Sequence, residues 1–278
     1  MTTTLVPLQK YHGLGNDFLV ALDGARWLSE GAGIARAACN RHTGVGADGL
    51  LLVLPGETDS AGSDLRMKLH NADGSVAEMS GNGIRCFVQA AVDAKLVSAG
   101  HVRVATDAGL RTVEATSSDG NGRAEIAVDM GMVIRDIHPV LGDPPGEAMS
   151  IDVGNPHLVI ATAERAIAEW GPKLEAPYLV GPTRGINVEL VSQRAPGVVD
   201  MRVWERGVGV TNACGTGATA TAVAAASWGW DVDGRVKVHQ PGGSADVVLR
   251  GDCATLIGPS QRIASVEFLF VAASNATN

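Results

Sequence analysis

Ser80-Gly81-Asn82-Gly83 and Cys214-Gly215-Thr216-Gly217 stand 134 residues apart, and each opens a helical stretch. After Gly83, the residues Ile84, Phe87, Val88, Ala91 and Val92 follow the spacing of one apolar helical face. Residues 217–228 are Ala-rich and apolar almost all round, the composition of a helix enclosed by other structure. Working outward, Gly15-Asn16-Asp17-Phe18-Leu19-Val20 matches Gly154-Asn155-Pro156-His157-Leu158-Val159 at an offset of 139 residues. Gly49-Leu50-Leu51-Leu52-Val53 matches Asn187-Val188-Glu189-Leu190-Val191 at 138, and Lys68-Leu69-His70-Asn71 matches Arg202-Val203-Trp204-Glu205 at 134. Four matches in one order, with the drift that loop-length differences produce, describe a duplicated plan.

Short apolar or alternating runs at 18–22, 50–54, 65–69, 102–105, 123–128, 158–160, 187–191, 201–204, 236–239, 246–249 and 265–271 read mostly as β-strands. The expected class is therefore α/β (α+β): two pseudo-symmetric domains, each a curved mixed sheet around one central helix. The halves are expected at 1–122 and 123–264, with a last strand at about 265–278 able to return to the first. The 278 residues, at roughly 150 per domain, agree with two domains.

Hydrophobic residues make up 45% and charged residues 19%, which excludes a disordered or fibrous chain. A net charge of −8 without any basic run argues against nucleic acid or an anionic membrane as partner. The start, MTTTLVPLQKYHGLGNDF, lacks a basic region followed by a long apolar one, and no window holds the roughly 18 consecutive apolar residues of a membrane span. Cys39, Cys86, Cys214 and Cys253 lie far apart with no CxxC pair, so neither a zinc site nor a disulfide framework is expected. The expected compartment is the cytoplasm.

Duplicated domains would bring residues 80 and 214 to one ligand from opposite sides. Helix N-termini present unpaired N–H groups and partial positive charge, which suit a carboxylate and a reactive thiol. Those are the parts needed to remove a proton α to a carboxylate: a thiolate base and donors that stabilise the carbanion-like state. Buried, inert thiols are the commoner case, and that reading is kept for Cys39, Cys86 and Cys253. Ala-Cys-Gly-Thr-Gly is too glycine-rich for ordinary core packing, which singles out Cys214. Residues 44–49 fit GxGxxG but run into a strand, so a nucleotide site is rejected there. His157 can be a satisfied structural histidine, Glu205-Arg206 a solvated pair, and Asn16, Asn71, Asn82, Asn155 and Asn187 holders of turns. Their recurrence at matched positions favours a polar cleft, where a guanidinium would suit bidentate carboxylate recognition.

Taken together, His12-Gly13-Leu14-Gly15-Asn16-Asp17-Phe18, Asn71-Ala72-Asp73-Gly74-Ser75, Ser80-Gly81-Asn82-Gly83-Ile84-Arg85-Cys86, Gly154-Asn155-Pro156-His157, Gly185-Ile186-Asn187, Glu205-Arg206-Gly207 and Ala213-Cys214-Gly215-Thr216-Gly217 resemble the diaminopimelate epimerase family along essentially the whole chain. The resemblance implies a cofactor-independent epimerase, with no metal, that interconverts LL- and meso-2,6-diaminopimelate on the route to lysine and peptidoglycan. It implies a homodimer. It assigns Cys214 as one catalytic cysteine, Asn16, Asn71, Asn155 and Asn187 as substrate-binding, and Gly81-Asn82 and Gly215-Thr216 as donors to the reacting carboxylate. Glu205-Arg206 then bind the amino-acid head, while His157 and Glu205 tune the catalytic groups.

Three positions depart from the family pattern. Ser80 stands where the family has its other catalytic cysteine, Val210 where it usually has Glu, and Gly49 where some members have Gln. Two-base epimerisation needs a second group on the opposite face, and a hydroxyl is a far poorer base than a thiol, although it can donate a proton or order a water. Cys86, six residues along the same helix from position 80, points about 240° away and cannot easily replace it. The alternatives are a one-base isomerase, lyase or dehydratase of the same fold on a related amino acid, and an amino-acid binding protein without activity.

Overall fold

The computed structural model describes residues 3–56, 62–179 and 185–271. They form two compact units, one of residues up to Ile126 together with those from Pro259 onward, the other of Ala127–Gly258. Four α-helices are described: α1 (Gly31–Ala38), α2 (Gly81–Asp93), α3 (Ile167–Glu175) and α4 (Gly215–Ser227).

In the first unit the strand Thr3–Gly13 turns back antiparallel onto Asn16–Ala21, with Gly13 opposite Asn16. On its other side it pairs with Cys253–Val271, bringing Thr3 opposite Val271. Asn16–Ala21 runs parallel to Gly49–Pro55, which pairs antiparallel with Leu65–Asn71. Leu65–Asn71 then lies parallel to Gly100–Thr106, which closes a hairpin with Gly109–Ala115. Within this frame every residue of α2 from Gly81 to Ala91 is buried. Leu50, Leu51 and Leu52 are wholly excluded from solvent, each worth about 2 kcal/mol of transfer free energy.

The second unit repeats the pattern. Glu147–Asp152 pairs antiparallel with Pro156–Ala161, which is parallel to Asn187–Ala195, which in turn pairs antiparallel with Val198–Glu205. The last lies parallel to Arg235–Gln240, whose hairpin partner is Gly243–Arg250. Gly215 to Ala225 of α4 are all buried, as the all-round apolar composition predicts.

The strand registers carry the sequence offsets. Leu65 opposes Val104, Leu69 opposes Ala77, and Thr106 opposes Gly109. The pairs 134 residues later are Val199 with Val238, Val203 with Thr211, and Gln240 with Gly243. Likewise Phe18 opposes Gly49 where His157 opposes Asn187. Duplication thus extends from motif spelling to individual backbone pairs, which is why both helices start at equivalent points of their sheets.

Candidate active site

Both helices begin with the same cap. Ser80 has φ −141° and ψ 125°, Cys214 has φ −128° and ψ 121°, and each side chain accepts a hydrogen bond from the N–H three residues on. Gly83 donates to Ser80 Oγ at 3.0 Å, and Gly217 donates to Cys214 Sγ at 3.3 Å. The cap residue satisfies one orphan donor of the first turn and holds its heteroatom at the positive end of the helix.

In the second unit, Cys214 lies at the centre of a polar cluster. Its Sγ is 3.4 Å from Thr216 Oγ1, and its backbone N–H donates to Gln240 Oε1 at 2.7 Å. Burial pushes the thiol well above its ordinary range, and the carboxylates of Glu205 and Glu189 push it further; contacts with Thr216 and Gly217 only partly offset this. Glu205 ends the strand Val198–Glu205. Burial raises its carboxyl as well, against the opposing pull of the Thr211 hydroxyl that donates to it. Burial thus favours the protonated form of both groups.

His157 follows Pro156 in the strand Pro156–Ala161, which Asn187–Ala195 separates from Val198–Glu205, and is wholly buried. Nδ1 lies 2.7 Å from Glu189 Oε1, and Nε2 lies 3.0 Å from Asn155 Oδ1. Asn187 donates from Nδ2 to Pro156 O at 2.9 Å and accepts from the Arg206 N–H at 3.0 Å. It therefore ties two strand ends together and fixes the start of the turn that carries Arg206, whose side chain is exposed.

The first unit places a different set around α2. Asn82 Nδ2 donates to Asn16 Oδ1 at 3.2 Å, while Asn16 Nδ2 donates to Asp48 Oδ2 at 2.6 Å. Arg85, fully buried, donates to Asn82 Oδ1 at 2.7 Å and to Gly81 O at 3.0 Å. Asp48 also accepts from Arg41, which bridges to Asp17, and Asp17 is paired with Lys10 at 2.9 Å. Asn71 donates to Ser75 Oγ at 3.0 Å across the tight turn after Leu65–Asn71.

Sequence reasoning singled out Ser80, Gly81, Asn82, Asn16 and Asn71, which all lie in the first unit, and Cys214, Gly215, Thr216, Glu205, Arg206, His157, Asn155 and Asn187, which all lie in the second. It missed Glu189, Thr211 and Gln240 beside Cys214, and Asp48 and Arg85 beside Asn16 and Asn82. Glu189 had a visible signal: a charged residue between Val188 and Leu190 in an otherwise apolar strand. Arg85 had one too, as a cation on a helix buried all round. Cys86 is fully buried six residues along the same helix from position 80, and burial pushes its thiol up to about 11. Cys39 is buried as expected, whereas Cys253 is exposed and departs from the buried thiol expected there; all four cysteines are free. Val210 lies in the short strand Gly209–Thr211 with its side chain exposed. The hydrogen of a Gly49 Cα stands where a Cβ would come within 2.8 Å of His70 O, so a larger residue there requires a shift. Among the described residues, no three His, Cys, Asp or Glu side chains are grouped to hold a metal ion, and no helix is long and apolar enough to cross a membrane.

Comparison with known proteins agrees with this architecture. The bacterial diaminopimelate epimerase of Thermobifida fusca is 42% identical over 271 residues, covering 92% of this chain and 95% of the relative. That of Rhodococcus opacus is 40% identical over 275 residues, covering 92% and 94%. A hydroxyproline epimerase from Agrobacterium vitis superposes with a TM-score of 0.72 at 17% identity, covering 95% of this chain and 92% of that one. A phenazine biosynthesis protein of the PhzF family from Bacillus anthracis gives 0.72 at 15% identity, covering 97% and 100%. These last two share the fold. The family model described as diaminopimelate epimerase matches residues 8–135 and 149–263, and the chain belongs to that family.

Proposed function

We infer that this diaminopimelate epimerase interconverts the LL and meso forms of 2,6-diaminopimelate by moving one α-proton, with Cys214 as the base and Ser80 as the proton-returning side. The observation that carries this reading is the Cys214 thiol at the start of α4, in contact with Glu205, Thr216 and the Gly217 N–H. In the forward step Glu205 accepts the thiol proton, and the Cys214 thiolate then removes the α-proton, leaving a carbanion-like centre. N–H groups at Gly81-Asn82 and Gly215-Thr216 donate to the substrate carboxylate as its charge builds. Return of a proton to the other face, from the Ser80 hydroxyl or a water bound to it, inverts the centre; the donor regains a proton from solvent, Glu205 releases to solvent the one it took, and Cys214 is left as the thiol. Ser80 Oγ accepts from Gly83 as Cys214 Sγ accepts from Gly217, so the difference lies in the heteroatom: a hydroxyl is a far poorer base than a thiol but can donate its proton.

Asn16, Asn71, Asn155, Asn187, Glu205 and Arg206 bind the substrate in this reading, and His157 tunes the reacting groups. The same resemblance supports a cytoplasmic homodimer, which light scattering of the purified protein checks. The one-base alternative draws on the same Ser80 hydrogen bond: a hydroxyl that returns no proton leaves a lyase, dehydratase or one-sided exchange enzyme. Product identity decides between them. Meso product of unchanged formula supports the epimerase; a keto acid, or loss of water, supports the alternative.

A further inference from the structure

The duplicated fold contains its own control for the space beneath each helix start. At Gly83 of α2, an added Cβ would meet Phe18 Cζ at 3.4 Å; at Gly217 of α4 it would meet Glu189 Oε1 at 2.7 Å. Phe18 is the counterpart of His157, and Leu51 the counterpart of Glu189, by the sequence offsets and by the matching strand registers. At the two matched strand positions the first unit has Phe18 and Leu51, both buried. The second has His157 and Glu189, both wholly buried, and Glu189 Oε2 has no hydrogen-bond partner among the described residues.

A buried ion pair is rarely more stabilising than the apolar residues that could replace it, and an unpartnered carboxylate oxygen adds a cost. Packing alone therefore does not call for Glu189, since its sister unit folds around Leu51. An ionised Glu189 Oε1 can only accept, so Nδ1 of His157 donates to it, while Nε2 faces the Asn155 amide. Glu189 thereby fixes which edge of His157 is turned to Asn155, and its charge stands beside the first turn of α4. The groups that face Cys214 are Glu205 from the strand Val198–Glu205, Glu189 from Asn187–Ala195, and Thr216 from α4 itself.

We propose that Glu189 is a positioning residue of the reaction: it orients His157 toward Asn155 and supplies the fixed negative charge beneath Cys214. This rests on the reading of Cys214 as the base. The test compares Glu189→Gln, which removes the charge and keeps the shape, with Glu189→Asp and with the double variant His157→Phe/Glu189→Leu, which copies the first unit. Three quantities are measured: thermal melts, kcat and KM for diaminopimelate, and the pH dependence of Cys214 alkylation by iodoacetamide followed on its own peptide. Glu189→Gln is expected to fold, to lose about tenfold or more in kcat with KM within about twofold, and to alkylate with a midpoint at lower pH, since a negative charge near the thiol is gone. Glu189→Asp is expected to recover part of kcat and the alkylation midpoint. The double variant is expected to melt at or above the wild-type temperature without turnover. Wild-type kcat and an unmoved midpoint in folded Glu189→Gln overturn the proposal, and so does its failure to fold, which would mark a structural role. Alkylation requires no turnover, so a wild type that fails to exchange the α-proton refutes the functional reading, while the midpoint still decides for or against Glu189.

Discussion

The starts of α2 and α4 share a backbone and differ in chemistry. Both are capped by an extended residue whose heteroatom accepts from the N–H three residues on, yet one cap is a hydroxyl with Phe18 beside its first turn and the other a thiol with Glu189 beside its first turn. Because the strand pairs around them repeat residue for residue, this difference is not forced by the fold. In the proposed reaction the thiol makes the second unit's cap the proton-abstracting group, and the hydroxyl makes the first unit's cap the proton donor.

Making the caps alike is the harshest way to break this contrast. Cys214→Ser keeps the cap and removes the base, and α-proton exchange followed by NMR is expected to fall about 10³-fold or more, with the melting temperature little changed. The converse change sharpens the contrast. Ser80→Cys is expected to raise meso formation about a hundredfold, because a thiol on the second face restores two-base chemistry; an unchanged rate would show that Ser80 does not limit the reaction.

The pH dependence separates the two caps next. Burial, together with Glu205 and Glu189, holds the Cys214 thiol above its ordinary range, so the rate at saturating substrate is expected to rise steadily through neutral pH and to keep rising at about pH 9. Glu205→Gln removes one of the two charges together with the acceptor of the thiol proton, so turnover is expected to fall while the pH midpoint of Cys214 alkylation shifts lower.

In the first unit the sign runs the other way. Burial pushes the Asp17 carboxyl up, but hydrogen bonds from Arg41 and Lys10 outweigh it and hold the group below its ordinary value. Its contribution is therefore present at neutral pH and lost as the pH falls below the ordinary carboxylate value. Asp17→Asn is expected to cost about 1–2 kcal/mol in urea unfolding at pH 7, given that Arg41 is half exposed, and much less at about pH 3. The smallest effect is expected at Val210, whose side chain faces solvent: Val210→Glu should change stability by no more than about 0.5 kcal/mol.

The duplicated plan was legible because its signals are local. Glycine-rich caps, apolar periodicity in α2 and enclosed composition in α4 each show in a short window, and the offsets follow from matching such windows. Helices α1 and α3 show no comparable signal. α1 is eight residues with Gly31 and Gly33 inside it, held by burial of Ile34, Ala35 and Ala38 against Leu50 and Leu52. α3 contains Gly171 and Pro172 and is fixed by Ile167 and Leu174 packing with Leu158 and Tyr178. The strand Thr3–Gly13 carries Pro7, which reads against a strand interior. In the site, the cap residues and asparagines are visible as motifs. Glu189 and Arg85 stand out only as charges among apolar neighbours, and Asp48 not at all, because what gives each its place is a partner 32 or more residues away or complete burial, and neither is written in the neighbouring letters.

The most direct test of the central claim is NMR of LL-diaminopimelate with the purified protein and with Cys214→Ala in heavy water under reducing conditions. The account predicts meso product carrying solvent deuterium at its inverted α-carbon with the wild type, and neither exchange nor product with Cys214→Ala. Exchange that persists without Cys214 would contradict it.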